Sequence, residues 1–173
     1  MKVTRRILVT GGVRSGKSAH AEALLADRRG VRYVAPGPAS DDADWAARIA
    51  AHRARRPPSW TTVETHDLAE AFATDEPVLV DCLGTWLTAV VDDARLWEAP
   101  AGEVLDLVGQ RVAAALDVLG DDVVLVTNEV GLGVVPEHRS GRLFRDLLGT
   151  VNQRFAAACD EVHLVVAGRV LKL

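Results

Sequence analysis

The chain has 173 residues, and 20 basic against 24 acidic side chains give it a formal net charge of −4 at pH 7. This length predicts a single domain, residues 1–173, that can bury a large core without disulfides. The negative net charge argues against a protein that binds nucleic acid or an anionic membrane surface. Two distant cysteines, Cys82 and Cys159, indicate reduced thiols in a cytoplasmic protein. No stretch approaches the about 20 apolar residues of a membrane span.

Short apolar runs alternate with longer helical patterns along the chain. The runs are rich in Val, Leu and Ile and predict strands at residues 7–10, 32–35, 78–81, 123–127 and 161–166. Helical patterns fall at residues 17–26, 43–54, 83–92, 103–119 and 141–158. This alternation predicts an α/β fold with a mostly parallel sheet flanked by helices. Ala167 and Gly168 then predict a turn into an antiparallel edge strand at the C-terminal side.

The first predicted strand runs into the stretch TGGVRSGKSAH, residues 10–20. Its G-x-x-x-x-G-K-S spacing, between a strand and a helix, is that of a P-loop, which binds nucleoside triphosphates. We expect Gly11 and Gly16 to adopt positive φ, so that backbone N–H groups point at phosphate oxygens and the helix N-terminus adds partial positive charge. The residues of this loop assigned to nucleotide binding are Gly11, Gly12, Val13, Arg14, Ser15, Gly16, Lys17 and Ser18.

Two side chains of the P-loop are expected to act on the phosphates. Lys17 should reach the β- and γ-phosphates as a positive charge, which makes it a predicted catalytic residue. The Ser18 hydroxyl should ligate the Mg²⁺ that bridges those phosphates. Arg14 either touches phosphate or is solvated, and His20, on the helix that follows, is more typical of a structural residue.

Ligands of open α/β sheets bind beyond the carboxyl ends of the strands, and two acidic residues stand there. Asp81 ends the strand in PVLVDCLGTW, where its carboxylate could hold Mg²⁺ directly or through water. Alternatively, Asp81 caps the helix that begins near Leu83. Glu129 follows the strand in VVLVTNEVGLGVVP and belongs either to the nucleotide site or to an ordinary Gly-rich turn.

The stretch DWAARIAAHRARRPP contains a histidine with two interpretations. Trp45, Ile49 and His52 have the spacing of one helical stripe, so periodicity alone favours a packed histidine. Arginines nevertheless crowd around it in an otherwise acidic protein, and a basic helix end beside a P-loop suits a polyphosphate chain. Those assigned to nucleotide binding are Arg48, Arg53 and Arg56.

The chain resembles the family of bifunctional adenosylcobinamide kinases / adenosylcobinamide-phosphate guanylyltransferases over nearly its whole length. The resemblance rests on ILVTGGVRSGKSAHAEAL, RIAAHRARRP, LVDCLGTWLT and VVLVTNEVGLGVVPEHRSGRLFRDLLGTVNQRFAAACDEVHLVV. It implies a RecA-like P-loop fold, a homotrimer, and two reactions that use ATP or GTP. The first phosphorylates adenosylcobinamide. The second transfers GMP from GTP to adenosylcobinamide phosphate and releases pyrophosphate.

The family pattern R-I-x-x-H-x-x-x-R-P contains a guanylylated histidine, and its histidine falls here on His52. The resemblance therefore implies that His52 is the nucleophile of the second reaction. A neutral imidazole suits this role, because it attacks an α-phosphate and later leaves from it. The chain departs from the family at two positions. Ala51 stands where some members have a second histidine, and Ala89 where many have asparagine.

Two rival functions remain open at the level of sequence. One is a small-molecule P-loop kinase without transferase activity, in which His52 is merely packed. The other is a GTP-binding switch protein, although VTNEVG stands where such proteins usually carry an N-K-x-D segment that reads guanine.

Overall fold

The structure is a computed structural model that describes residues 5–37 and 56–173. All the strands that it describes belong to one seven-stranded sheet. In chain order the strands are β1 (Arg6–Gly11), β2 (Arg32–Val34), β3 (Thr61–Val63), β4 (Val78–Asp81), β5 (Val123–Val126), β6 (Glu161–Val166) and β7 (Arg169–Lys172). The described helices are α1 (Lys17–Leu24), α2 (Leu68–Phe72), α3 (Leu83–Ala94), α4 (Ala101–Asp117) and α5 (Arg139–Ala157).

The strands follow the order β3-β2-β4-β5-β1-β6-β7 across the sheet. All neighbouring pairs are parallel except β6 and β7, which form an antiparallel hairpin at the edge. This confirms the predicted mostly parallel sheet and its antiparallel edge strand. Strand β1 lies between β5 and β6, with Val9 opposite Val126 on one side and His163 on the other. The carboxyl ends of the central strands therefore meet at one edge of the sheet.

Both faces of the sheet are covered because successive strand side chains point to opposite faces. Leu8 joins a cluster with Trp86 of α3 and Phe155 of α5, whose rings pack edge to face with centroids 6.4 Å apart. Such a pair contributes about 0.5–1.5 kcal/mol beyond its buried area. Val9 points the other way, into a smaller cluster with Ala21 of α1. The sheet thereby supports both the strand before the P-loop and the helix after it.

Two short elements were absent from the sequence prediction. Strand β3 has only three residues, which are intermediate or exposed, and its sequence TTV carries no apolar run. Helix α2 has five residues, and its first turn is capped by Asp67, whose carboxylate accepts a hydrogen bond from the Glu70 N–H at 3.1 Å. Neither is long enough to show periodicity. The helix predicted at 43–54 lies outside the described residues. None of the described helices is long and apolar enough to cross a membrane.

Candidate active site

The P-loop joins β1 to α1 and turns through Arg14 (φ 55°) and Gly16 (φ 95°). Lys17 is only 7% exposed, and its Nζ donates a hydrogen bond back across the loop to the Gly12 carbonyl oxygen at 3.0 Å. The His20 N–H donates to the Gly16 carbonyl oxygen at 3.0 Å, which is the first hydrogen bond of α1. The Lys17 ammonium is thus held over the backbone of the loop, where a phosphate oxygen could replace the Gly12 carbonyl as its acceptor.

Two hydroxyl groups at the P-loop are buried without a hydrogen-bond partner in the part of the chain that the structure describes. They are Thr10 Oγ1, at the end of β1, and Ser15 Oγ, inside the loop. A buried polar group without a partner costs about 1–3 kcal/mol, so water or a ligand normally satisfies it. These hydroxyls are therefore available to a group that binds at the loop.

Gly11 does not have the positive φ that we expected from its place in the motif; of the two glycines, only Gly16 has it. The reason for glycine at position 11 is close packing. A Cβ there would overlap the carbonyl oxygen of Val165 on β6 and lie 2.7 Å from Ser15 Oγ. At Gly12 the corresponding Cβ would meet no heavy atom of the described chain within 4 Å. Gly11 therefore serves the contact between β1 and β6, and not a turn.

Asp81 lies at the same edge of the sheet as the P-loop. It is in register with Val126 of β5, which is in register with Val9 of β1. Two strand spacings of about 4.8 Å place its backbone about 10 Å from β1. Its Oδ2 accepts a hydrogen bond from Tyr33 Oη at 3.1 Å. The alternative role, capping of α3, falls instead to Cys82, which forms a capping box with Thr85.

Tyr33 links Asp81 to Arg56. Burial, reinforced by the negative charge of Asp81, raises the pKa of Tyr33, so its hydroxyl stays protonated and donates to the carboxylate. The Arg56 guanidinium lies 3.3 Å from the centroid of the Tyr33 ring and donates to Thr62 Oγ1 at 3.0 Å. Arg56 is thus stacked beside the Tyr33–Asp81 pair, and its assignment to nucleotide binding stays a prediction.

Ser18 and Asp81 supply the oxygen atoms that Mg²⁺ prefers. Ser18 is half-buried in the first turn of α1, and Asp81 is half-buried at the end of β4. The described residues contain no cluster of three or more His, Cys, Asp or Glu side chains able to hold a metal. Because Mg²⁺ usually keeps waters and phosphate oxygens and takes only one or two protein ligands, this sparse pair fits an ion that arrives with the nucleotide.

The loop between β5 and α5, residues 127–138, is called here the β5–α5 loop. It begins beside the P-loop, since the Glu129 N–H donates to the Gly11 carbonyl oxygen at 3.1 Å. Asn152 of α5 anchors this start by accepting from Thr127 Oγ1 at 2.6 Å and donating to the Asn128 carbonyl oxygen at 3.1 Å. The role of the Glu129 side chain stays a prediction. Exposed aliphatic residues follow, at Val130, Leu132, Val134 and Val135.

A chain of hydrogen bonds runs from β6 to α1. Glu161 Oε2 lies 2.8 Å from His163 Nε2, and His163 Nδ1 lies 2.9 Å from His20 Nε2. The hydrogen bond from His163, with a second from Lys172, lowers the pKa of Glu161 to about 2. Burial, and then the neighbouring His163, lower the pKa of His20. His20 is thus a neutral ring held by a partner, in agreement with the structural role expected from the sequence.

The structure brings together only part of the predicted site. The P-loop, Asp81 and Glu129 share one edge of the sheet, whereas Arg48, His52 and Arg53 lie outside the described residues. Sequence reasoning missed Tyr33 and His163. Each is a polar ring that follows the first positions of a short strand and precedes buried apolar residues, in RYV and EVHLVV, and that contrast is the signal that could have found them.

Comparison with known proteins decides the family. Residues 7–173 match the family model CobU, described as cobinamide kinase / cobinamide phosphate guanyltransferase. This chain belongs to that family. The protein named bifunctional adenosylcobalamin biosynthesis protein CobU in Salmonella typhimurium is 45% identical over 183 residues, which cover 96% of this chain and 98% of that protein. Its namesake in Escherichia coli is 46% identical over 179 residues, with the same coverage. CobP of Pseudomonas aeruginosa is 38% identical over 176 residues, covering 97% and 96%.

A solved ATPase from the type III secretion system of pathogenic bacteria shares the fold. Its TM-score with this chain is 0.55 at 10% sequence identity, over 92% of this chain and 50% of that one. This chain therefore spans about half the length of that ATPase. At such low identity the similarity concerns architecture alone. It agrees with the predicted RecA-like P-loop NTPase fold.

Proposed function

We propose that this chain is a bifunctional enzyme of cobalamin biosynthesis. It phosphorylates adenosylcobinamide with ATP or GTP, and then transfers GMP from GTP to adenosylcobinamide phosphate, which gives adenosylcobinamide-GDP and pyrophosphate. Membership of the cobinamide kinase / cobinamide phosphate guanyltransferase family over residues 7–173 supports both activities. The structural observation that carries the proposal is the buried Lys17 ammonium, which lies over the P-loop at 3.0 Å from the Gly12 carbonyl oxygen.

In the kinase reaction the substrate hydroxyl oxygen attacks the γ-phosphorus, the bond to the β-phosphate oxygen breaks, and the hydroxyl proton is released. Lys17 and the N–H groups of the P-loop offset the negative charge that develops on the phosphates. Ser18 and Asp81 would hold Mg²⁺, which would neutralise part of the negative charge on the phosphates. Thr10 and Ser15 contribute buried hydroxyls at the same loop.

In the transferase reaction we assign the nucleophile to His52. An imidazole nitrogen attacks the α-phosphorus of GTP and pyrophosphate leaves; a phosphate oxygen of adenosylcobinamide phosphate then attacks the same phosphorus and releases His52. Arg48, Arg53 and Arg56 would bind the polyphosphate. The position of Arg56 supports its part in this assignment. Arg56 stacks on Tyr33 beside Asp81, at the edge of the sheet where the P-loop also lies.

Labelled nucleotides test the nucleophile. Protein mixed with GTP labelled at the α-phosphate should keep the label through denaturation, lose it in acid and keep it in alkali, as a phosphoramidate does. Label on the γ-phosphate should not be retained. His52→Asn should stay folded and keep much of the kinase activity, but lose both the covalent label and the transferase. Full α-label on the folded variant would exclude His52 as the nucleophile.

One incubation separates the rival functions. Purified protein is supplied with adenosylcobinamide, ATP and GTP, and the corrinoid products are identified by mass. Adenosylcobinamide-GDP is the expected product. Accumulation of adenosylcobinamide phosphate alone would indicate a kinase without transferase activity. Recovery of unchanged adenosylcobinamide, with slow GTP hydrolysis, would indicate a switch protein.

We also propose a homotrimer in the cytoplasm. The assembly follows from the family resemblance. The free cysteines Cys82 and Cys159 support a reducing compartment. Light scattering of the purified protein across a dilution series measures the assembly, and a mass of one or two chains would contradict the trimer.

A further inference from the structure

The hairpin of β6 and β7, residues 161–172, contacts the P-loop by its backbone. At its turn, the Gly168 N–H donates to the Ser15 carbonyl oxygen at 2.8 Å. The same turn lies against Gly16, where an added Cβ would be 3.5 Å from the Gly168 Cα. Along β6, the Val165 carbonyl oxygen occupies the space that a side chain at Gly11 would need. The P-loop therefore contacts this hairpin at three positions, Gly11, Ser15 and Gly16.

The hydrogen-bond chain from Glu161 through His163 adds a side-chain contact to α1. An ionised carboxylate only accepts hydrogen bonds, so His163 Nε2 carries a proton toward Glu161 at 2.8 Å. The other ring nitrogen, His163 Nδ1, faces His20 Nε2 at 2.9 Å, and we assign Nδ1 as the acceptor and His20 Nε2–H as the donor of this bond. His163 is 1% exposed, so water does not compete for this bond.

The apolar packing of helix α1 lies toward its C-terminal end. Ala21 is buried, Leu24 packs partly buried against the same cluster, and Leu25, which caps the helix, is buried. The first turn has no apolar side chain in that cluster, so contacts made by polar groups position it. Strand β6, in contrast, is held on both sides, by β1 and by β7. A hydrogen bond from β6 to His20 therefore joins a well-anchored strand to a helix whose first turn carries Lys17 and Ser18.

We propose that His163 is a positioning residue for the nucleotide site, which acts through His20 to hold the first turn of α1 against the phosphates. The inference rests on the proposed function, because it assumes that the P-loop binds a nucleoside triphosphate. His163 lies 143 residues from His20 in the sequence and does not belong to the P-loop motif. Loss of the His163–His20 bond should weaken nucleotide binding while the fold remains.

Two substitutions of His163 distinguish the effect of losing the hydrogen bond to His20 from the effect of replacing a buried ring. In His163→Gln the amide nitrogen can replace Nε2 as donor to Glu161, but no acceptor remains for His20. In His163→Asn the amide oxygen can replace Nδ1 as acceptor from His20, while Glu161 keeps its hydrogen bond from Lys172. Loss of the bond predicts a dissociation constant for Mg²⁺ and a non-hydrolysable ATP analogue about tenfold higher in His163→Gln, which corresponds to about 1.4 kcal/mol and lies near the upper end for a net hydrogen bond. His163→Asn should stay within about threefold of wild type.

The bond itself can be observed in the unmodified protein. With ¹⁵N-labelled histidine in the full chain, both His20 and His163 should show the tautomer protonated at Nε2. A scalar coupling should connect His20 Nε2 to His163 Nδ1 across the hydrogen bond.

A second pair of variants, at His20, repeats the binding test from the other side of the bond. His20→Gln keeps a donor near the Nε2 position, whereas His20→Asn does not.

Calorimetric titration of wild type and all four variants, with melting temperatures, gives the decision. The proposal is supported if His163→Gln and His20→Asn bind the analogue about tenfold more weakly than wild type. The matched variants His163→Asn and His20→Gln should not. Should His163→Gln fail to fold, the His20 pair and the scalar coupling decide. Equal affinity within both folded pairs, or absence of the coupling, would overturn the positioning role. Wild-type protein that binds no nucleotide would overturn the proposed function as well, so the two failures are distinguishable.

Discussion

Two loops leave neighbouring strands at the same edge of the sheet, and they differ in how far their side chains are buried and held by the surrounding structure. The P-loop after β1 keeps Ser15 and Lys17 buried and rests on the β6–β7 hairpin. The β5–α5 loop is anchored at its start, and then exposes Leu132 by 85% and Val134 by 95%. The position at the carboxyl edge is therefore common to both loops. What distinguishes the phosphate site is a set of polar groups already fixed by the surrounding structure.

The largest effect is expected from the charge that the P-loop holds. Lys17→Ala should lower the rates of both the kinase and the transferase reactions by about 10²–10³, by analogy with removal of one preorganised charge-stabilising group. Steady-state rates of the two half-reactions measure this. The matched substitution in the other loop, Val134→Ala, should leave the kinase rate within about twofold of wild type. Near wild-type rates for Lys17→Ala would show that the P-loop is not the active site.

The two adjacent glycines of the P-loop test how closely it packs on the hairpin. Gly11→Ala should lower the free energy of unfolding by about 1–3 kcal/mol, because its Cβ overlaps the Val165 carbonyl oxygen and crowds Ser15. Gly12→Ala, where space is open in the described chain, should change it by less than about 0.5 kcal/mol. Urea unfolding of the two variants measures the difference. Equal stabilities would contradict the contact between β1 and β6 at this point.

Removal of the charge at Asp81 tests whether the site extends beyond the P-loop. Asp81→Asn keeps the shape and an acceptor for Tyr33, but weakens the attraction for Mg²⁺. The Mg²⁺ concentration that gives half the maximal kinase rate should rise about tenfold, which corresponds to about 1.4 kcal/mol. The melting temperature should change little. An unchanged Mg²⁺ dependence with a lower melting temperature would indicate a purely structural carboxylate.

The hairpin that supports the P-loop should have its own acid sensitivity. The pKa of Glu161 is lowered from 4.5 to about 2, chiefly by the hydrogen bond from His163. Its ionised form therefore stabilises the fold fully above about pH 4.5, and this contribution is lost as the pH falls toward 2. Urea unfolding of wild type and Glu161→Gln between pH 2 and 7 should show the stability difference shrinking over that window. A difference that stays constant down to pH 2 would contradict the low pKa.

The smallest effect is expected in the β5–α5 loop. Leu132→Ser should change the free energy of unfolding by less than about 0.5 kcal/mol, because the side chain is 85% exposed and loses little contact. Thermal unfolding of the variant measures this. A clear loss of stability would mean that Leu132 is covered in the protein in solution. The β5–α5 loop would then differ from the P-loop in what covers it, and not in being exposed.

Local patterns predicted most of the fold. Strands β4 and β6 were predicted to the residue, and helices α3, α4 and α5 to within two residues of their ends. These elements bury a regular face, so their periodicity is visible in the sequence. Strand β3 and helix α2 are too short to show one. Helix α2 is instead defined by a single side-chain cap, Asp67, on the Glu70 N–H.

The site divides in the same way. The P-loop could be predicted because its spacing is contiguous in sequence. Contacts between distant positions could not, because periodicity carries no information about them. The Tyr33–Asp81 bond joins residues 48 positions apart, and the His20–His163 bond joins residues 143 apart. The need for glycine at position 11 belongs to the same class, since its reason is the Val165 carbonyl on another strand.

The place of β1 in the sheet has a consequence for synthesis on the ribosome. This strand is translated well before its two neighbours, which are β5, beginning at Val123, and β6, beginning at Glu161. From Gly11 to Glu161 there are 161 − 11 = 150 positions, which at about 5–20 residues per second take roughly 8–30 s. Strand β5 is made during that interval and β6 only at its end, so the apolar segment RILVTG lacks at least one of its two lateral partners throughout. Strand β1 thus completes its native pairing only after residues about 150 positions further along the chain have been made.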